Sequence, residues 1–296
     1  MAHIEIRPAR AEDCEAVLAF CTQTWSWGDY IGYVWDEWLH NPNGQLLVAT
    51  ADSKPVGVAN MQMLDKTNAW LEGLRVNPAY RRQGIARALT ENALLEAMRR
   101  EATCARLMIE STNEVSIQLA ESMHMCRVGS FAIYEASPLA TSAKRAVKEQ
   151  VQLATQADLD DIIDYLNVSN IFPLVGGLYC VRFTAYPITV ELLEAKIAAQ
   201  QIYLLRRWDR LDGLAIVDTS GEGLFRKNRL SLGYIDGTTI ESISLIAYDL
   251  RHHLVGIGLE SIRAYAPDLM LVHDALGGIG YEPEGTVYCT FELGLV

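Results

Sequence analysis

Hydrophobic and polar positions in the first half of the chain follow two alternating periods. Stretches in which apolar residues alternate with polar ones, or run on for a few positions, predict strands near 3–8, 45–51, 54–64, 69–76, 105–111 and 125–134. Stretches with apolar residues at helical spacing predict helices at 11–22, about 31–40, 84–100 and 113–123. This order predicts a mixed α/β (α+β) fold, in which a largely antiparallel meander leads into a strand-to-helix crossover.

The same pattern occurs a second time further along the chain. "IRPARAEDCEAVLAF" (6–20) aligns without gaps with "VQLATQADLDDIIDY" (151–165). A second shift, of 156 positions, places Gly57 on Gly213 and Gly129 on Gly285. Two distant matches that share one shift indicate an internal repeat of a whole structural unit.

The stretch between the two copies, 135–150, has little periodicity and is typical of a linker. We therefore predict two domains, 1–140 and 147–296, each a mixed, mostly antiparallel twisted sheet flanked by helices. Residues 147–154 serve either as the first strand of the second copy alone or also complete the sheet of the first copy. The pattern leaves these alternatives open.

The connection after the strand "AWLEGLRV" carries the clearest candidate chemistry. "NPAYRRQG" turns the chain, and strong helix formers follow from Gly84. Free backbone N–H groups and the positive end of the dipole make a helix N-terminus a ready anion site. Gly84 and Ala86 would admit a diphosphate, and Arg81, Arg82 and Arg87 would supply charge. The alternative interpretation is an ordinary arginine-rich turn.

The frame "LEGLRVNPAYRRQGIARAL" resembles the acetyl-CoA-binding motif of the GNAT superfamily of N-acetyltransferases, and "IEIRPARAEDCEAV" resembles that family's opening strand and helix. The resemblance covers nearly all of residues 1–136. It implies that Leu74 and Val76 pair with the pantetheine arm of the cofactor, while an N–H at a strand bulge polarises the thioester. The residues whose backbone N–H groups would hold the pyrophosphate are Gln83, Gly84, Ile85, Ala86 and Arg87.

Attack of an amine on a thioester needs a proton acceptor, because a lysine-like amine has a pKa near ~10. Glu72, two residues before Leu74, resembles the carboxylate that many family members use as the base. Otherwise it is a solvent-facing strand glutamate.

The late helix departs from the family pattern. Asn113 keeps register as a cofactor-binding residue, but Ala120 stands where the family's acidic tyrosine would be. Ser122, Tyr134 or a water molecule are the candidates for the missing acid.

The aromatic segment 24–40 lies where the family places its amine acceptor. Trp25, Trp27, Asp29 and Tyr30 are the candidate acceptor-binding residues, since aromatic faces and a carboxylate suit an ammonium group. Trp35 and Trp38, at helical spacing, fit a core stripe or a domain contact equally well.

The second copy lacks the loop. A shift of 156 positions maps Arg81 onto Gly237, Gly84 onto Ile240 and Glu72 onto Asn228. These replacements predict a degenerate GNAT-like domain without the coenzyme site.

Composition narrows the function further. Acidic residues outnumber basic ones 37 to 25, which argues against nucleic-acid binding. The six cysteines have no zinc-site spacing, so we expect reduced thiols and no metal. The N-terminus lacks a signal-peptide pattern, and no apolar run reaches the ~18 residues of a membrane span, so we expect a cytoplasmic protein.

The leading hypothesis is an acetyl-CoA-dependent N-acetyltransferase for a small-molecule or peptide amine. A non-catalytic acyl-CoA or metabolite sensor is the main rival, and transfer of a longer acyl chain is a third option. The acceptor and the oligomeric state stay open.

Overall fold

The computed structural model describes residues 3–22, 24, 28–139, 151–219 and 228–295. The chain divides into two compact units. The first comprises Met1–Leu107, Val115–Cys126 and Phe291–Val296, and the second comprises Met108–Glu114 and Arg127–Thr290. Each unit contains a mostly antiparallel sheet with helices packed on it, which confirms the predicted α/β fold.

The first unit follows the predicted element order closely. Its strands and helices, with the parts of β5 and α4 that border the second unit, are β1 (Ile4–Pro8), α1 (Cys14–Cys21), α2 (Ile31–His40), β2 (Gly44–Ala51), β3 (Lys54–Met63), β4 (Asn68–Val76), α3 (Ile85–Arg99), β5 (Cys104–Glu110) and α4 (Glu114–Ser122). The strands lie in the order β1-β2-β3-β4-β5, and neighbours are antiparallel except β4 and β5. The parallel pairing of β4 with β5 covers only Asn68–Trp70 on β4.

Helix α1 begins where the sequence supplies a carboxylate for its first turn. The Asp13 carboxylate accepts hydrogen bonds from the backbone N–H of Arg10 at 2.8 Å and from both terminal guanidinium nitrogens of Arg7 at 2.7 Å. This arrangement satisfies free N–H groups at the helix start and anchors it to β1. Apolar side chains of α1, α2, β2 and β3 then form one buried cluster, which includes Trp35 and Trp38.

The second unit repeats this order. Its elements, including the part of β14 that borders the first unit, are β6 (Cys126–Ala136), β7 (Val151–Leu153), α5 (Leu159–Val168), β8 (Leu178–Val181), β9 (Thr184–Pro187), α6 (Val190–Ala198), β10 (Ile202–Arg207), β11 (Arg210–Asp218), β12 (Arg229–Gly237), α7 (Ile240–Ile257), β13 (Ser261–Pro267), α8 (Met270–Gly277) and β14 (Glu282–Gly294). Strands β6-β13-β12-β11-β10-β7 are adjacent in that order, and β8 and β9 form a separate hairpin.

The first repeat match extends to a detail of hydrogen bonding. Asp158 lies 145 positions after Asp13, and its carboxylate accepts the N–H of Thr155 at 2.8 Å. Arg206 replaces Arg7 as its ion-pair partner, also at 2.7 Å. The two copies therefore start their first helices in the same way.

Strand pairing decides between the alternatives left open for residues 147–154 where the structure describes them, at 151–154; residues 147–150 lie outside the described residues. Strand β7 pairs with β10, within the second unit. The first unit is completed instead by the end of the chain, because the Leu295 N–H donates to the Thr103 carbonyl at 2.8 Å and Arg106 donates to Glu292 at 2.6 Å. The compact units are thus discontinuous in sequence, and the contiguous domain limits 1–140 and 147–296 stay a prediction about the repeat.

Among the described helices, none combines the length and apolar character needed to cross a bilayer.

Candidate active site

The connection between β4 and α3 leads into a helix whose N-terminus carries no side-chain cap. Asn77 follows the last residue of β4, and its side chain accepts the backbone N–H of Ala79 at 3.0 Å. Gly84 is the N-cap of α3 with a left-handed φ of 79°, and no side chain caps the helix. A Cβ built on Gly84 would meet no atom within 4 Å. The space beside Gly84 is therefore open, and no side chain caps the N–H groups of the first turn, as an anion site at a helix N-terminus requires.

Charged side chains surround this N-terminus. Arg81, Arg82 and Gln83 are exposed. Arg87, in the first turn, donates to Ser122 at 2.7 Å and lies 3.7 Å from Glu91. An uncapped helix end with arginines beside it has the donor set that a diphosphate requires.

Strand β4 carries an irregularity just before this loop. The register with β3 shifts between Val58 and Asn60, opposite Gly73 and Leu74. Gly73 has a φ of 67°, and a Cβ there would lie 2.6 Å from the Trp38 ring, so only glycine fits. Beyond Trp70 the described pairing with β5 has ended, and the Val76 carbonyl on this stretch accepts Arg81 Nε at 3.4 Å. The Leu74 carbonyl accepts the Arg75 guanidinium at 2.9 Å.

Glu72 lies one residue before the bulge with two amide donors on one of its oxygens. Asn60 Nδ2 donates to Oε1 at 3.1 Å, and Gln62 Nε2 donates to the same atom at 3.0 Å. Burial raises the pKa of Glu72 from 4.5 to about 7. The hydrogen bond from Asn60 acts in the opposite direction and lowers the pKa, while the negative charge of Glu37 raises it further. A carboxylate with this pKa is a stronger base than an ordinary glutamate and is about half ionised at pH 7.

Two of the predicted acceptor-binding residues form a buried contact with Arg75. Asp29, whose side chain is 3% exposed, lies 2.7 Å from the Arg75 guanidinium. The same guanidinium lies 5.4 Å from the centre of the Tyr30 ring, which packs edge-on against Trp38. The Asp29 charge is therefore balanced within the protein. Trp25 and Trp27 lie outside the described residues.

Trp35 and Trp38 are core residues. They are 2% and 5% exposed and pack in the cluster of α1, α2, β2 and β3. The interpretation of their spacing as a core stripe is correct.

The candidate acids lie in different surroundings. Ser122 is exposed, and its hydroxyl donates to the Leu119 carbonyl at 2.7 Å while accepting from Arg87. Tyr134 belongs to the second unit, where it is buried on β6 with its ring 5.9 Å from that of His273, and burial raises its pKa. Asn113 also belongs to the second unit, and its N–H donates to the Glu110 carbonyl at 2.9 Å.

The second copy has a much shorter connection at this place. Strand β12 continues to Gly237 and α7 begins at Ile240, so only residues 238–239 connect them. The first turn of α7 is closed, because Thr239 Oγ1 accepts the Ser242 N–H at 3.1 Å and the Ser242 hydroxyl donates to Asp212 at 2.5 Å. The N-terminus of α7 thus has a side-chain cap, whereas that of α3 has none.

The predicted match of Glu72 with Asn228 is wrong. Asn60 lies opposite Glu72, while Ile216, 156 positions after Asn60, lies opposite Tyr234. Strands β4 and β12 are equally long, but the connection between β11 and β12, residues 219–228, is longer than the connection 64–67 between β3 and β4, and this changes the shift between the copies beyond β11. The Tyr234 hydroxyl donates to buried Asp236 at 2.6 Å, so a hydrogen-bond network stands where the first copy has Glu72.

Asn60 and Gln62 were not among the residues predicted from the sequence. They are polar positions two apart in the otherwise apolar run "VGVANMQM", so one face of β3 carries both amides. That alternation was the available signal. Among the described residues there is no cluster of three or more His, Cys, Asp or Glu side chains able to hold a metal ion.

Comparison with known proteins places these features in a family. Residues 12–125 match the family model of the acetyltransferase (GNAT) family. A search of curated proteins found no match to the chain.

Solved structures match over nearly the whole chain. A GCN5-related N-acetyltransferase from Sphaerobacter thermophilus is 11% identical, with a TM-score of 0.63 over 98% of this chain and 95% of its own. A tandem GNAT protein from the clavulanic acid biosynthesis pathway is 14% identical, with a TM-score of 0.52 over 99% of this chain and 98% of its own. At these identities the likeness concerns the fold. Residues 12–125 of this chain therefore belong to the acetyltransferase (GNAT) family.

Proposed function

We propose that the chain is an acetyl-CoA-dependent N-acetyltransferase, in which a primary amine of a small molecule or peptide attacks the thioester directly within a ternary complex. The observation that carries the proposal is the uncapped N-terminus of α3, placed directly after a bulged strand that bears Glu72. Family membership supports acyl transfer from an acyl-CoA in general.

The loop residues would bind the cofactor through their main chain. The N–H groups of Gln83, Gly84, Ile85, Ala86 and Arg87 would donate to the diphosphate, with Arg81 and Arg82 adding positive charge. Leu74 and Val76 would pair with the pantetheine arm on the part of β4 beyond its pairing with β5, where Arg75 and Arg81 would release the two carbonyls. Acetyl-CoA, when bound, supplies the activated acyl group.

Glu72 would accept the proton of the ammonium. An amine with a pKa near ~10 is almost fully protonated at neutral pH, so its proton must pass to a base before attack. A main-chain N–H at the bulge of β4 would stabilise the developing oxyanion. Since the Ser122 hydroxyl donates to a carbonyl and Tyr134 belongs to the second unit, we favour water over both as the source of the thiol proton.

Calorimetric titration with acetyl-CoA tests the cofactor site. We expect Gly84→Glu to weaken binding at least about tenfold, because the new carboxylate would occupy the anion site and repel the diphosphate. Gly258→Glu is the matched control: Gly258 is also exposed, has a positive φ of 69° and has no atom within 4 Å of a built Cβ. Equal binding by wild type and the Gly84 variant would remove the proposal.

A sensor without catalysis is the second candidate, favoured by Ala120 at the position of the family's tyrosine. Release of free thiol, measured over a panel of amines, polyamines, amino acids and peptides, separates the two. Binding of acetyl-CoA without release by any amine would identify a sensor.

A further inference from the structure

A cavity of about 300 Å³ lies within the second unit, between β6, α8 and the first part of β14. Most of its lining is apolar and includes Ala132, Ile133 and Val287. Two glycines that also line it, Gly277 and Gly285, have no atom within 4 Å of a built Cβ. Sites for small ligands begin at about this volume.

The same place in the first copy is filled by the chain itself. The shift of 156 positions matches Gly285 with Gly129, and a Cβ built on Gly129 would lie 2.8 Å from the Val175 backbone. Val175 ends a short apolar turn and is 1% exposed. The fold can therefore close this place by packing, and the second copy leaves it open.

The helix beside the cavity differs between the copies in the same way. Helix α8 begins 156 positions after α4, so the match holds for the helices too. By this shift, His273 on α8 corresponds to Ile117 on α4. An apolar residue thus satisfies the fold at this position, and the imidazole of the second copy is not needed for packing.

Tyr134 has an unpaired hydroxyl at this cavity. The residue is only 4% exposed, and its hydroxyl has no hydrogen-bond partner among the described residues. The hydroxyl oxygen is nevertheless not one of the unpaired polar atoms that are sealed from solvent, so a ligand can reach it. Burial raises the pKa of Tyr134, and the charge of Asp268 acts in the same direction. The hydroxyl therefore keeps its proton and can donate it to a ligand.

His273 supplies a second unpaired atom. Its Nε2 is sealed from solvent and lies 2.9 Å from Asp268 Oδ1, at an angle too bent for a good hydrogen bond. A bare ring nitrogen this close to a carboxylate would bring two acceptors together, so Nε2 carries the proton and Nδ1 is an acceptor in the neutral ring. Nδ1 has no partner in the described part of the chain and is not sealed from solvent.

We propose that this cavity is a binding site for a small uncharged molecule with an apolar body and a hydroxyl group. The apolar body lies against Ala132, Ile133 and Val287, and the hydroxyl lies at the end formed by Tyr134 and His273. A hydroxyl can accept a hydrogen bond from a tyrosine and can donate one to an imidazole nitrogen, so it suits either unpaired atom. This site does not depend on acetyl transfer in the first copy.

The test compares p-cresol with p-xylene on the wild-type protein. The two probes have nearly the same size and differ in one hydroxyl in place of a methyl group. A purely apolar cavity favours p-xylene, because burial of an unpaired hydroxyl costs free energy. Nitrogen-15 NMR of labelled histidine at mildly alkaline pH gives both the affinity and the location of each probe, with the His273 signals assigned through His273→Ile.

We expect p-cresol to shift the His273 signals and to bind at least about fivefold more tightly than p-xylene. Tyr134→Phe should weaken p-cresol binding about three- to tenfold, as loss of one neutral hydrogen bond does, and leave p-xylene binding unchanged. Tyr203→Phe is the matched control. Tyr203 is also buried in the second unit, its ring packs edge-on 5.7 Å from that of His253, and it lies outside this cavity. The control should leave the binding of both probes within about twofold.

Equal or tighter binding of p-xylene by the wild type would overturn the proposal, and so would binding of neither probe. Shifts of the His253 signals as large as those of His273 would show binding elsewhere and would overturn it too. Equal losses of p-cresol affinity in the two tyrosine variants would have the same meaning. Because the comparison of probes needs only the wild type, it holds even where Tyr134→Phe fails to fold.

Discussion

Replacing Glu72 by glutamine should make the protein more resistant to unfolding at neutral and alkaline pH, although it removes the proposed base. Glutamine keeps a carbonyl oxygen that can accept from Asn60 and Gln62, but it cannot ionise. The wild-type carboxyl must become charged in surroundings that disfavour the charge. The variant avoids that cost.

The magnitude follows from the pKa of the carboxyl. Its pKa rises from 4.5 to about 7 on folding, mainly through burial. Between these values the folded state binds more protons than the unfolded state, so the free energy of unfolding falls as pH rises. At about 1.4 kcal/mol per pKa unit, and with some solvent contact retained, the wild type should lose about 2 to 3 kcal/mol between pH 4.5 and pH 8.

Urea denaturation at half-unit intervals of pH measures this difference. The gain in stability of Glu72→Gln over the wild type should be smallest below pH 5, increase through pH 6 and 7, and level off near pH 8. Glu91→Gln, on the exposed surface of α3, controls for the loss of a charge and should show a small difference with no such rise. A gain that stays constant with pH would refute the assignment of a raised pKa to Glu72.

Three further predictions concern other parts of the site and its counterpart. The acidic limb of the pH profile of kcat/KM should have its midpoint near 7, the pKa of Glu72. A midpoint near 4.5 would contradict the role of burial in raising this pKa. Glu72→Gln should lower kcat by a factor of about 10² to 10⁴ at pH 7.5. Asp29→Asn should destabilise the first unit by about 3 kcal/mol, because it leaves the buried Arg75 guanidinium without its counter-charge. Urea denaturation measures this loss of stability. A smaller loss in the double variant with Arg75→Leu would identify the ion pair as the cause. Thr239→Ala should cost about 1 kcal/mol through loss of the cap of α7, without changing acetyl-CoA affinity in calorimetry; weaker binding would contradict the assignment of cofactor binding to the first copy.

The element pattern of the first copy was predictable from the sequence because its periodic stretches are long and well separated. The strand predicted at 54–64 is observed as Lys54–Met63, and the helix predicted at 84–100 as Ile85–Arg99. Gly84, at the end of an arginine-rich turn, also marked the helix start correctly. Local composition decides such features, so a single sequence contains the information.

Pairings between distant residues were not predictable in the same way. Nothing local to Leu295 indicates that its N–H donates to Thr103, and nothing local to Gln62 indicates that it shares a carboxylate oxygen with Asn60. The mapping of Glu72 onto Asn228 failed for a related reason, since a constant shift cannot follow a chain in which one connection between strands is longer in the second copy. Register is set by partner strands, which only the folded chain brings together.

The two copies within one chain allow the demands of folding to be separated from those of binding. Both copies run a strand into a long helix, and the second does so with a two-residue connection and a threonine cap on α7. That solution satisfies the helix end internally and is available to the fold. The first copy instead keeps a longer loop, a left-handed glycine and uncapped N–H groups, which are less favourable for the isolated helix. Since the fold does not need this arrangement, a bound anion is the simplest physical reason for keeping it, and the same comparison explains why the second copy should bind no nucleotide cofactor at α7.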